Sequence, residues 1–122
     1  MSSATTLTLL PLLLFFSINT HAEYKTSGEM TQEEYQKVRE TSAEYNTCLN
    51  DFAISQLETQ SDARVIADHA MKKCAPHLEG LYEFLLAGNY PPEAMKRFVG
   101  SISNKAANKL LSNVMRYKAV QN

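Results

Sequence analysis

Apolar residues in this chain recur every three, four or seven positions, and no stretch keeps the strict alternation of a strand with one exposed face. From Thr31 to about Thr59 there is no Gly or Pro. Across it Tyr35, Val38, Tyr45, Cys48, Leu49, Phe52 and Leu57 fall on one helical stripe. Glu33, Glu40, Glu44 and Asp51 fall mostly on the other side. Thr31 followed three residues later by Glu34 has the spacing of a capping box, so a first helix is predicted to open there.

Thr59-Gln60-Ser61-Asp62 is a polar break, with Ser61 or Asp62 suited to cap a second helix. Ile66, Ala70, Cys74, Leu78, Leu81 and Leu85 form its stripe. Pro76 lies inside that stripe, and an interior Pro removes a backbone hydrogen bond. A kink or short break near Lys73 to Pro76 is therefore expected. Ala87-Gly88-Asn89 reads as a helix stop and Tyr90-Pro91-Pro92 as a turn. A third helix is predicted from about Pro92 to Tyr117, since Pro suits a first helical turn. Its stripe is Met95, Phe98, Val99, Ile102, Ala106, Leu110, Val114 and Tyr117, with Gly100, Ser101 and Ser103 marking a place for a bend. The predicted fold class is all-α, a three-helix bundle.

The start of the chain breaks this pattern. Residues 1–22 carry no Asp, Glu, Lys or Arg, and Leu7 to Phe16 are apolar except for Thr8 and Pro11. That run is about half the ~20 residues a membrane span needs, and it matches the apolar region of a secretory signal. Thr20 and Ala22 fit the small-residue positions before a cleavage site, and charge begins at Glu23. The absence of Lys or Arg before the apolar run departs from the usual signal, and an uncleaved anchor is the alternative. The expected organisation is a signal peptide over 1–22, a flexible arm over 23–30 and one helical domain over 31–122, in a secreted or periplasmic protein with no stable membrane span after cleavage.

Export changes what the two cysteines mean. In an oxidising compartment, two Cys in a small domain are most simply one disulfide. Cys48 and Cys74 are equidistant from residue 61, in the break between the first two helices. In an antiparallel hairpin such residues lie at one level. Packed axes about 8–10 Å apart then place inward-facing Cα atoms roughly 3.5–5.5 Å apart, overlapping the disulfide range. Free buried thiols or intermolecular pairing are the competing readings.

The net charge of −1 hides a segregation. Residues 23–58 carry eight acidic and three basic residues, a net −5, whereas residues 93–122 carry one acidic and six basic, a net +5. Either the flanks of the first and third helices complement each other, or Lys96, Arg97, Lys105 and Lys109 present a basic face to a partner. The small net charge and the lack of a Lys/Arg run argue against nucleic acid. Six Tyr are present, and Tyr90, beside two prolines, is the best exposed candidate for a contact.

Motifs for chemistry are sparse. His69, Cys74 and His77 lie close together, but a zinc site needs about four N or S ligands, and a disulfide would remove the thiol. A catalytic Cys would need a free thiolate beside a base. No phosphate-cradling Gly-rich loop, H-E-x-x-H or G-x-S-x-G occurs. No catalytic residue, metal site or cofactor is assigned.

The run Asp62, Ile66, Ala67, Ala70 and Cys74, with Cys48 one hairpin upstream, resembles small exported bacterial two-cysteine helical proteins of uncharacterised function, over roughly residues 45–86. The resemblance implies secretion and a stapled hairpin, and no activity. By elimination the expected role is non-enzymatic binding of another protein. The alternatives are a small-ligand or metal carrier, using the helical interior or His69 and His77, and a small enzyme without a recognisable motif.

Overall fold

The computed structural model describes residues 23–121. The expected signal peptide lies outside the described residues. A single 3₁₀ turn, Ser27–Glu29, precedes three long helices: α1 (Gln32–Gln56), α2 (Ala63–Ala87) and α3 (Pro92–Gln121). The three pack together as an all-α bundle. α2 is the central element, lying along both neighbours, while α1 and α3 meet over a shorter stretch.

Local chemistry explains where each helix starts and stops. Thr31 accepts the Glu34 backbone N–H at 3.1 Å, and the Glu34 carboxylate accepts the Thr31 N–H at 3.3 Å, closing the capping box. Asp62 caps α2 by accepting the Arg64 N–H at 2.9 Å. α2 ends in a Schellman motif: Asn89 N–H donates to Leu86 O at 3.0 Å and Tyr90 N–H to Leu85 O at 3.3 Å. The left-handed residue is Asn89, at φ 69°. Gly88 serves a different purpose there: a Cβ on it would lie 3.0 Å from Glu34 Oε2 and 3.3 Å from both Leu85 O and the Tyr90 ring.

α2 continues without a break through Pro76, and α3 continues through Gly100 and Ser103. The sequence predicts a kink or short break near Pro76 and marks a place for a bend at Gly100 to Ser103, and neither interrupts its helix. Both helices carry a buried stripe on either side of the weak point, and tertiary burial outweighs local propensity.

The core has two linked clusters. One joins all three helices around Tyr45, Leu49, Ile66, Cys74, Leu110 and Val114. The other, at the α2–α3 turn, contains Leu81, Leu85, Tyr90 and Met95. Cys48 and Cys74 are bonded, with Cα atoms 5.9 Å apart and a separation of 26 residues. The spacing is slightly wider than the ideal-cylinder figure and inside the range disulfides occupy. At the far end, the Lys118 ammonium of α3 donates to Leu57 O at 2.6 Å and to Gln60 O, satisfying carbonyls where α1 ends.

Candidate functional site

A concavity of about 760 Å³ lies between α2 and α3. Tyr45 of α1 forms part of its floor. Met71, Ala75, Leu78, Tyr82 and Leu86 of α2 make one wall, and Val99 and Ser103 of α3 the other. The α2 residues recur at spacings of four, three, four and four, so they form one ridge flanking the core stripe. Tyr45 and Leu78 are buried, while Met71, Tyr82, Leu86 and Val99 are half-buried. These apolar side chains meet solvent through the open side of the groove.

The groove's charges sit on its rim. Glu79 and Glu83 edge the α2 wall, one helical turn apart, and Lys96 edges the α3 wall. All three are exposed, and none forms an ion pair among the described residues.

Of the basic residues singled out from sequence, Lys96 is the one placed on this groove. Lys105 and Lys109 line a separate cleft of about 230 Å³ between α1 and α3, facing Ser42 and Asn46. Arg97 is exposed and lines neither cleft. None of these four pairs with a carboxylate among the described residues. No ion pair joins the flanks of α1 and α3 among the described residues. The acidic residues of α1 fall on a different face: Glu33, Glu40, Glu44 and Asp51 recur at spacings of seven, four and seven, and Glu44 reaches His77 of α2 at 3.8 Å.

Tyr90 differs from the exposed contact residue expected. It is fully buried, at 0% exposure. The Schellman turn folds it back over the end of α2 against Leu81, Leu85 and Met95. Lys25 covers its ring, with Nζ 5.7 Å from the centroid. The segment 23–30, expected to be a flexible arm, is tied to the same turn. Lys25 N–H donates to Asn89 O at 2.9 Å, and the Asn89 side chain donates to Glu23 O at 3.0 Å.

Beneath this tie lies a buried polar contact between Glu34 and Tyr90. Glu34 Oε2 and the Tyr90 hydroxyl have no hydrogen bond of regular geometry, yet they are close enough to bias each other's ionisation. Burial pushes the Glu34 carboxyl up. Hydrogen bonding to Thr31, the Tyr90 hydroxyl and the Lys25 charge outweigh it and hold the carboxyl below 4.5. Burial, with the Glu34 carboxylate beside it, pushes the Tyr90 phenol up to about 12. The pair is packed under the arm, so it acts as a structural lock between α1 and the α2–α3 turn.

His77 contacts Glu44, and Cys74 Sγ is bonded to Cys48. Among the described residues no three His, Cys, Asp or Glu side chains gather as metal ligands, and no helix is long and apolar enough to cross a membrane. The groove itself was missed by sequence reasoning. Its signal was the second ridge of α2, where Met71, Ala75, Tyr82 and Leu86 extend the apolar face beyond what the core consumes. Comparison with family models, curated proteins and solved structures finds no match to this chain.

Proposed function

We propose that this chain is an exported, non-enzymatic binding protein that receives an apolar helix of another protein in the α2–α3 groove. The observation that carries the reading is the groove itself: an open, apolar trough with its charges confined to the rim. Recognition of an amphipathic helix uses such a trough between two helices. Polar groups on a rim set orientation and register, whereas covalent chemistry needs a nucleophile and a base converging in a sheltered site. Export is supported by the apolar run Leu7 to Phe16 and by the Cys48–Cys74 bond, which persists in oxidising compartments.

A small apolar ligand is the second reading. The volume of about 760 Å³ falls in the range of ligand pockets. Such sites enclose most of their ligand, however, and here the lining residues leave one long side open. The groove suits a partner that brings its own covering surface.

The test is site-specific photocrosslinking in the native source. A photoreactive residue at position 86, inside the groove, is compared with one at position 108 on the exposed face of α3. The expected result is a discrete protein adduct from position 86 alone, which a Val99→Glu change in the opposite wall abolishes. Equal adducts from both positions, or none, would overturn the proposal. Export is read in the same preparation, by an N-terminus at Glu23 in the extracytoplasmic fraction.

A further inference from the structure

We infer that the helix accepted by the α2–α3 groove carries basic residues one turn apart on the flank that meets α2. The inference rests on the groove being the binding site and adds the chemistry of its occupant. Three features of the groove lead to it.

The first is length. The α2 wall runs from Met71 to Leu86, and at 1.5 Å per residue this is roughly 22 Å, or about four helical turns. The second is depth. Ala75 and Ser103, one on each wall, are small. A backbone can approach closely there, and knobs at i, i+3, i+4 and i+7 can enter the trough.

The third is charge. Glu79 and Glu83 occupy positions i and i+4 of one helix, where like charges repel. Neither has a cation within ion-pair distance among the described residues. Two Lys or Arg side chains spaced one turn apart on an incoming helix would neutralise both carboxylates while their alkyl stems cover Tyr82. Lys96 on the opposite rim favours an acidic residue on the occupant's other flank. The charge order across the groove therefore specifies which way round the helix sits as well as where it binds.

The experiment uses the oxidised protein after Ala22 and three fluorescent peptides of 18 residues sharing one Leu/Ile stripe. The first carries Lys at i and i+4 on the flank, the second carries Glu there, and the third is a scramble of the first. At low salt the Lys peptide is expected to bind about tenfold more tightly than the Glu peptide, since two attractive pairs replace two repulsive ones. It should also bind more tightly than the scramble. E79K/E83K, both at exposed positions, should reverse the order of the two peptides. Leu86→Glu should abolish binding with an unchanged circular dichroism spectrum and melting temperature.

Equal binding of the Lys peptide and its scramble would overturn the inference, as would a preference that survives E79K/E83K. So would self-association of the protein through the groove, seen in sedimentation and dissolved by Val99→Glu. If position 86 crosslinks a protein while no Lys peptide binds, the groove stands as the binding site and the basic flank is wrong.

Discussion

Glu34 and Tyr90, from the first turn of α1 and the end of the α2–α3 turn, converge on Gly88. A Cβ on that glycine would lie 3.0 Å from the carboxylate of one and 3.3 Å from the ring of the other. One buried polar contact thus binds the beginning of the first helix to the end of the second. The pH response follows from its two members. The Glu34 carboxyl is held below 4.5 in the fold, so its stabilisation is complete above about pH 4.5 and is lost as pH falls through the folded value. Tyr90 behaves conversely: its phenol moves from 10 to about 12, so its contribution is complete below pH 10 and is lost as pH rises toward 12. Melting temperatures across both windows should fall less steeply with acid in Glu34→Gln, and less steeply with base in Tyr90→Phe, than in the parent. At neutral pH Glu34→Gln should cost about 1 kcal/mol in urea unfolding, because the charge that accepts the Thr31 N–H and faces Lys25 is lost.

Glycine substitutions should give opposite signs at two positions of the same region. Gly88→Ala forces a methyl against Glu34 Oε2 and Leu85 O and should destabilise by about 1–3 kcal/mol. Gly80 is exposed on α2 and a Cβ there meets nothing within 4 Å, so Gly80→Ala should stabilise by about 0.5–1 kcal/mol. Chemical denaturation of the two variants checks both, and the same sign for both would contradict the packing described.

The Cys48–Cys74 bond should account for a large share of stability. Closing a loop of 26 residues is worth about 3.5 kcal/mol in the chain-entropy treatment. Domains of this size have a total margin of roughly 5–15 kcal/mol. A Cys48→Ala/Cys74→Ala variant should therefore show a lower urea midpoint by an amount equivalent to about 3 kcal/mol. The untreated protein should show no alkylatable thiol by mass spectrometry.

Lys118 should be worth more than an ordinary surface lysine. Its ammonium donates to two backbone carbonyls beyond the end of α1, and Lys118→Met keeps most of the alkyl stem while removing the donor. The expected loss is about 1 kcal/mol. Amide exchange should rise around Thr59 and Gln60, whose N–H groups bond back to Gln56 O. Arg97→Met, at an exposed position outside both clefts, is the neutral comparison.

Periodicity and capping chemistry made the three helices legible. The Thr31–Glu34 spacing located the start of α1 to the residue, and the symmetry of Cys48 and Cys74 about residue 61 located the staple. Two kinds of information were not in the pattern. Hydropathy ranks Tyr90 as a turn aromatic, whereas in the fold its ring turns inward just after the left-handed Asn89. Stripes also report which side chains can face a neighbour, but not where two helices leave a gap. Tyr35 and Tyr117 were assigned to stripes and are exposed, while Tyr82 and Leu86 lie on a ridge that the core leaves partly open. Segregated charge was visible as a sum over segments. Its disposition depends on helix rotation, which turns the acids of α1 away from the bases of α3.

The disulfide joins α1 to α2, and α3 is joined to them by the backbone turn after α2 and by no disulfide. Under tension applied at the two ends, the residues between Cys48 and Cys74 are shielded: about 90 Å of contour cannot be released while the sulfurs remain joined. The part of α1 before Cys48, the part of α2 after Cys74, and α3 are the parts that can lengthen. Of the groove's lining only Met71 lies inside the shielded loop, so a mechanical load would take the groove apart while the α1–α2 hairpin tip stays clasped. Adding reductant during the pull would release the hidden length as a separate step.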